Sequence, residues 1–181
     1  VFVILLTGIA RVTGLAGSQI DPATPVQSIE LRFEDQPDGA AADSDRSVGL
    51  RFGAHRYFYP RGIVLPDGRI RASVRCQRDP TSVLWTEMFQ SEDGGCTWRF
   101  LSRVNDWGAP GDLARMHDGR IVCVYGYRMP PFGVRARISE DDGRTWGREW
   151  ILRDDGGSWD LGYPRITEHA PGRIMAVYYM N

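Results

Sequence analysis

The chain has 181 residues, 42% of them hydrophobic and 25% charged, with a formal net charge of −1. This composition excludes an intrinsically disordered chain, and it leaves no global field to draw the protein to nucleic acid or to an anionic membrane. All 22 basic residues are Arg, so planar forks that match a carboxylate are available wherever a pocket forms.

The chain opens on the apolar run Val1-Phe2-Val3-Ile4-Leu5-Leu6, too short to cross a membrane as a helix. Two readings stay open for residues 1–18. One is a signal-peptide remnant ending near Ala16-Gly17-Ser18; the other is a buried strand. The first is favoured and implies a secreted or periplasmic protein. The segment Glu34 to Arg46 is acidic and rich in small residues and reads as a loop.

From residue 55 onward the chain repeats itself. The runs Y-P-R-G-I-V-L-P-D-G-R-I, P-G-D-L-A-R-M-H-D-G-R-I and Y-P-R-I-T-E-H-A-P-G-R-I align on glycines 68, 119 and 172, spacings of 51 and 53 residues. Between them, Ser91 to Trp98 and Ser139 to Trp146 share the pattern S-x-D-x-G-x-T-W. Each unit parses into four strands. A short first strand leads into the D-G hairpin turn. The second runs from Arg69, Ile121 or Ile174. In the first unit it alternates Ile70, Ala72, Val74 and Cys76 with Arg69, Arg71, Ser73 and Arg75; in the others it is nearly all apolar. The third is Trp85 to Gln90 or Val134 to Ile138, and the fourth Trp98 to Val104 or Trp146 to Leu152. No stretch carries a helical period.

Four short antiparallel strands at this spacing describe a β-propeller blade, so the expected fold is an all-β propeller fragment. Residues 55–181 hold about two complete blades and one partial blade. Residues 19–54 read as a loop, a linker or a further partial blade. Cys76, Cys96 and Cys123 show no C-x-x-C and no neighbouring His pair, so neither a metal nor another cofactor is expected; one disulfide remains open.

The S-x-D-x-G-x-T-W element resembles the Asp-box of the sialidase (neuraminidase, BNR-repeat) superfamily. The segments Gly108 to Leu113, Tyr125 to Arg128 and Trp159 to Arg165 look like bacterial sialidase-like proteins. The resemblance covers about residues 55–181. It implies a propeller of six blades when complete, with each Asp-box turn joining the two outer strands away from the active site. Ser91, Asp93, Gly95, Thr97 and Trp98, and their counterparts Ser139, Asp141, Gly143, Thr145 and Trp146, are therefore expected to be scaffold. The aspartate accepts backbone N–H bonds, the glycine supplies a positive φ, and the tryptophan packs between strands. The acidic turns lack the twelve-residue spacing of a calcium loop.

Chemistry in a propeller sits at the channel mouth, where first strands begin and second strands end. The first strands begin with His55, Arg56, Tyr59 and Arg61, then Asp106, Trp107 and Asp112, then Asp160, Tyr163 and Arg165. The second strands end at Arg78 and Asp79, then at Arg128. Such a rim suits an acidic sugar, because guanidinium forks bind a carboxylate and a carboxylic acid protonates a glycosidic oxygen. The candidate substrate-binding residues are Arg61, Arg78, Asp79, Arg128 and Arg165. The candidate catalytic residues are Asp112, Asp160 and Tyr163.

The resemblance implies an arginine triad for the substrate carboxylate, an Asp as acid/base and a Tyr–Glu nucleophile. The nucleophilic Tyr belongs to a late blade, beyond Asn181. The chain departs from the family where an R-I-P motif should start an inner strand: Phe58 stands in place of the arginine. Plainer readings exist for several positions. Arg61 and Arg165 share a repeat position and suit a repeated salt bridge, and Asp112 and Asp160 suit exposed turn caps. Arg78 and Asp79 suit a surface ion pair. Trp107 and Trp159 read as packing residues, and His55, His117 and His169 share no spacing. The leading expectation is a glycosidase of exo-α-sialidase type acting on a terminal acidic sugar, its partners being that carbohydrate and the rest of the propeller. The alternatives are a uronate-directed lyase or hydrolase, and a propeller that binds carbohydrate or protein without catalysis.

Overall fold

The computed structural model describes residues 2–7, 50–52, 55–78 and 83–181. Its described elements are all strands. The first two are β1 (Phe2–Thr7) and β2 (Leu50–Phe52). Blade one consists of β3 (His55–Val64), β4 (Ile70–Gln77), β5 (Leu84–Ser91) and β6 (Arg99–Arg103), antiparallel in that order, with β2 paired to the free edge of β3. Blade two is β7 (Gly111–Arg115), β8 (Ile121–Tyr127), β9 (Gly133–Ser139) and β10 (Trp150–Arg153). A third sheet holds β11 (Gly162–Ala170) and β12 (Arg173–Tyr179), with β1 antiparallel on the far edge of β12. The fold is a fragment of a β-propeller. Glu34 to Arg46 and the proposed signal-cleavage region near residues 16–18 lie outside the described residues.

The alternation read in the second strand of blade one divides two interfaces. Ile70, Ala72, Val74 and Cys76 join Tyr57, Trp85, Phe89 and Trp98 in one apolar cluster. On the opposite face, Ser73 Oγ donates to the Gly111 carbonyl of blade two at 2.9 Å. Leu65, Met88, Val104, Leu113, Ile121, Cys123 and Tyr125 form the core between blades one and two. Met116, Val122, Val124 and Val134 pack against Ile174, Ala176 and Tyr178 of the third sheet. Burying each large apolar side chain contributes about 1.5–3 kcal/mol, so these clusters stabilise both the blades and their contacts.

The D-G turns form as the repeat predicts. Gly68, Gly119 and Gly172 have φ of 85°, 95° and 72°, values that glycine adopts without the Cβ penalty. Leu65 O and Met116 O each accept the turn glycine's N–H at 2.9 Å. In the third turn Pro171 replaces the aspartate. There Glu168 accepts the N–H of Gly172 at 2.7 Å and that of His117, in the turn of blade two, at 2.6 Å.

Several boundaries differ from expectation. The first strand of blade one is ten residues long. Strand β10 begins at Trp150, not Trp146; the Trp146 indole N–H donates to Ser102 Oγ of blade one at 3.1 Å. Strand β12 is not buried on both faces: Ile174, Ala176 and Tyr178 alternate with more exposed neighbours. Cys76, Cys96 and Cys123 are all free thiols.

The S-x-D-x-G-x-T-W turns join β5 to β6 and β9 to β10. Ile70 pairs with Ser91, and Ile121 with Ser139, so these turns lie at the same sheet end as the D-G turns. In the first turn, Asp93 accepts the N–H of Thr97 at 2.9 Å and its hydroxyl at 2.5 Å, while Ser91 Oγ accepts the N–H of Gly95 at 2.8 Å. Asp141, Thr145, Ser139 and Gly143 repeat this arrangement. The second turn is also a seam between blades. The fully buried Arg71 donates to the Asp142 carbonyl at 2.6 Å, and Ser102 Oγ donates to the Gly143 carbonyl at 2.5 Å. With that end occupied by turns, the opposite end carries the inter-blade connections and the candidate rim.

Candidate functional site at the channel mouth

Counting seven residues back from each turn glycine (68, 119 and 172) reaches Arg61, Asp112 and Arg165. The innermost strands of the three sheets bring these side chains together. Arg165 Nη1 lies 3.9 Å from Asp112 Oδ1, and Asp112 Oδ2 accepts the backbone N–H of Ile166 at 2.8 Å. Burial holds the Arg61 guanidinium below its ordinary value; the Arg165 charge pushes the same way and the Asp112 charge opposes it. Asp112 belongs to β7 and is only 8% exposed. The reading of it as an exposed turn cap gives way to a buried carboxylate beside Arg165.

Two residues before each of these arginines the backbone turns unusual. Tyr59 has φ of 52° and Tyr163 of 47°. Both sit in register irregularities, between Phe58 and Arg61 in β3 and between Gly162 and Arg165 in β11. A bulge re-aims the side chains that follow it, and a left-handed tyrosine costs about 1–3 kcal/mol unless its surroundings hold it. Those surroundings are aromatic and cationic. The Tyr59 and Tyr163 rings meet edge to face at 5.7 Å, across the mouth from blade one to the third sheet. Tyr179 stacks on Tyr163 at 5.9 Å, and its hydroxyl donates to Asp160 Oδ1 at 2.5 Å. Burial, then the bond to Asp160, raises the Tyr179 hydroxyl above its ordinary value.

Two further guanidiniums lie against these rings. Arg75 Cζ is 5.5 Å from the Phe58 ring centroid and 5.6 Å from that of Tyr59. Burial holds Arg75 below its ordinary value; the Tyr163 hydroxyl opposes that shift and the Arg128 charge reinforces it. Arg128 Cζ is 5.4 Å from the Tyr163 ring and 5.8 Å from that of Trp159. Its Nε donates to Ala109 O and its Nη1 to Trp159 O, each at 3.0 Å.

Of the rim residues named from sequence, Tyr59, Arg61, Asp112, Arg128, Asp160, Tyr163 and Arg165 come together. Asp160 is held at both oxygens, the second accepting from Asn181 Nδ2 at 3.2 Å. Asp106 is paired with Arg103 at 3.0 Å. Asp79 lies outside the described residues. Trp107 and Trp159 are 44% and 63% exposed, which replaces the packing reading for both.

Sequence reasoning passed over Arg75, Tyr179 and Asn181. The signal was available in the strand parity. Counting forward from the turn glycines, Arg75 and Tyr179 stand at plus seven, and Arg128 and Asn181 at plus nine. Side chains two apart share a face. Arg78 stands at plus ten, just past the end of β4.

Among the described residues no group of three or more His, Cys, Asp and Glu gathers as a metal site, and no helix is long and apolar enough to cross a membrane. No protein-family model and no curated protein matches the chain. Solved structures do. A protein of unknown function from Dyadobacter fermentans is 30% identical, with a TM-score of 0.63 over 74% of this chain and 36% of its own. An α-L-arabinanase of Penicillium chrysogenum, solved with arabinobiose, is 21% identical, with a TM-score of 0.52 over 67% of this chain and 40% of its own. An α-L-arabinofuranosidase of Fusarium graminearum, solved with an iminosugar inhibitor, is 20% identical, with a TM-score of 0.55 over the same shares. The fold is thus shared with these structures, of whose length the chain spans 36% to 40%.

Proposed function

We propose that the chain carries the ligand-binding part of a glycan-active propeller enzyme that takes an acidic sugar, with a terminal sialic acid as the first substrate to test. The observation that carries this reading is the Arg165–Asp112 pair, with Arg61 in the field of both, on the strands whose Tyr59 and Tyr163 rings meet. With Arg75 and Arg128 the mouth holds four guanidiniums against the two carboxylates of Asp112 and Asp160, a surplus of two positive charges (four minus two). That surplus suits a carboxylate, and the aromatic faces suit the C–H face of a sugar ring. The solved carbohydrate-active enzymes of the same fold support a glycan ligand.

Arg75 supplies what the R-I-P comparison lacks. It pairs directly with Phe58 in the β3–β4 ladder, so a guanidinium reaches that end of the inner strand from the neighbouring strand. Asp112 acts as the counter-ion that orients Arg61 and Arg165, and Tyr163 is the ring against which the sugar rests. The binding-only alternative draws on one observation: Asp160 already accepts a hydrogen bond at each oxygen, while an acid catalyst must offer an oxygen to its leaving group.

Calorimetry on the full-length protein with sialic acid, galacturonic acid and their neutral counterparts tests the ligand. The acidic sugars bind in preference, and Arg165→Ala weakens them about tenfold or more. Equal affinity for neutral sugars sinks the reading. Incubation with sialyllactose then separates catalysis, which releases sialic acid, from binding alone.

A further inference from the structure

The two tryptophans exposed at the mouth stand on successive inter-blade connections. Trp107 lies between β6 and β7, and Trp159 between β10 and β11. Trp107 and Trp159 are 44% and 63% exposed, on the same sheet end as the charged mouth. Their backbones are not loose. Beside Trp107, Gly108 N–H donates to Leu84 O at 2.8 Å, Gly108 O accepts from Thr86 Oγ1 at 2.8 Å, and Ala109 N–H donates to Gly126 O at 3.0 Å. The Trp159 carbonyl accepts from Arg128 and from the N–H of Leu161 at 3.1 Å. Arg128 ties the two connections together, with one nitrogen on Ala109 and another on Trp159. Both exposed indoles are thereby carried on connections held to one guanidinium, which lies against the Trp159 ring and faces Tyr163.

We infer that Trp107 and Trp159 are stacking platforms for further sugar residues, so that the site takes a carbohydrate chain and not a single detached sugar. The inference rests on the acidic-sugar reading above. An indole face is electron-rich and flat, and the C–H face of a sugar ring is apolar and faintly positive, so the two stack without strong directional demands. Because the supporting loops are already ordered, little conformational freedom is lost when a chain binds. Arg128 is the positioning residue that holds the two platforms in register with the pocket.

The test compares galacturonic acid with its short linear oligomers, and sialic acid with sialyllactose, on the full-length protein. Affinity is measured by calorimetry and by quenching of tryptophan fluorescence. The oligomers bind about tenfold tighter than the monomers, as a stacked aromatic contact allows. Trp107→Ala and Trp159→Ala each reduce that ratio towards one, with circular dichroism unchanged because both side chains are exposed. A ratio already near one in the wild type, or a ratio untouched by both substitutions, overturns the inference while leaving acidic-sugar binding intact. Arg165→Ala that binds acidic sugars as well as the wild type sinks the underlying reading instead. Absence of binding to every probe overturns both.

Discussion

Asp112 and Ile166 are joined across a blade boundary: the carboxylate of one innermost strand accepts the backbone N–H of the next at 2.8 Å. A β-strand N–H at that position would otherwise be left without an acceptor, and an unmatched donor costs about 1–3 kcal/mol. Asp112→Ala therefore lowers unfolding stability by about that amount, while Asp112→Asn, which keeps an oxygen acceptor, lowers it less. Urea denaturation measures both. Equal midpoints for wild type and Asp112→Ala exclude the link.

The repeated acidic turns predict the response to acid. Hydrogen bonds from Thr97 and Ser91 hold Asp93 far below the usual carboxylate range. Burial raises Asp141, but the bonds from Thr145 and Ser139 outweigh it and lower its value. A carboxylate depressed in the folded state stabilises the protein above its unfolded value, about pH 4, and loses that contribution as pH falls through the folded value. Stability is thus steady near neutrality and declines below about pH 4. The double variant Asp93→Asn, Asp141→Asn starts lower and shows a shallower decline in denaturation midpoints; an unchanged slope refutes the assignment.

Two glycines fail for different reasons when substituted. A Cβ at Gly133 would lie 1.9 Å from the Arg153 carbonyl oxygen and 2.6 Å from its carbon. Gly133→Ala must therefore displace β10 from β9, at a cost of about 3 kcal/mol or more. At Gly68 nothing lies within 4 Å, but φ is 85°, so alanine costs only about 1–2 kcal/mol of backbone strain. Thermal melts should rank Gly133→Ala well below Gly68→Ala. The reverse order would rule out the tight β9–β10 approach.

The left-handed tyrosines set stability against ligand binding. Tyr59→Gly relieves about 1–2 kcal/mol of backbone strain and forfeits about 0.5–1.5 kcal/mol of ring contact with Tyr163. The two nearly cancel, so the melting temperature stays close to wild type while affinity for acidic sugars falls. A variant that loses several kcal/mol, or that binds as before, shows that the strain does not serve the site.

The repeat made much of the fold legible. The turn glycines and the two S-x-D-x-G-x-T-W segments are local backbone chemistry, and local chemistry is written in adjacent residues. Contacts between blades were less legible: the sequence reads Trp146 as part of a strand, and only the structure shows its indole bonded to Ser102 of another blade. At the site, Arg61, Asp112 and Arg165 were readable as equivalent repeat positions. Arg75 and Tyr179 are marked only by strand parity, and their importance comes from rings on the strand paired to their own, Phe58 and Tyr59 for Arg75 and Tyr163 for Tyr179.

From sequence alone came the period near fifty residues, the antiparallel blades, the end of each sheet that carries the turns, and the three inner-strand positions that supply the charges. Turn conformation and side-chain alternation depend on a few neighbouring residues, so a single chain specifies them. The tertiary structure alone decided that Asp112 lies buried beside Arg165, that Tyr59 and Tyr163 meet across the mouth, and that Trp107 and Trp159 stay open. Each of these follows from how the blades close on one another, and burial and charge proximity depend on that closure, not on sequence distance.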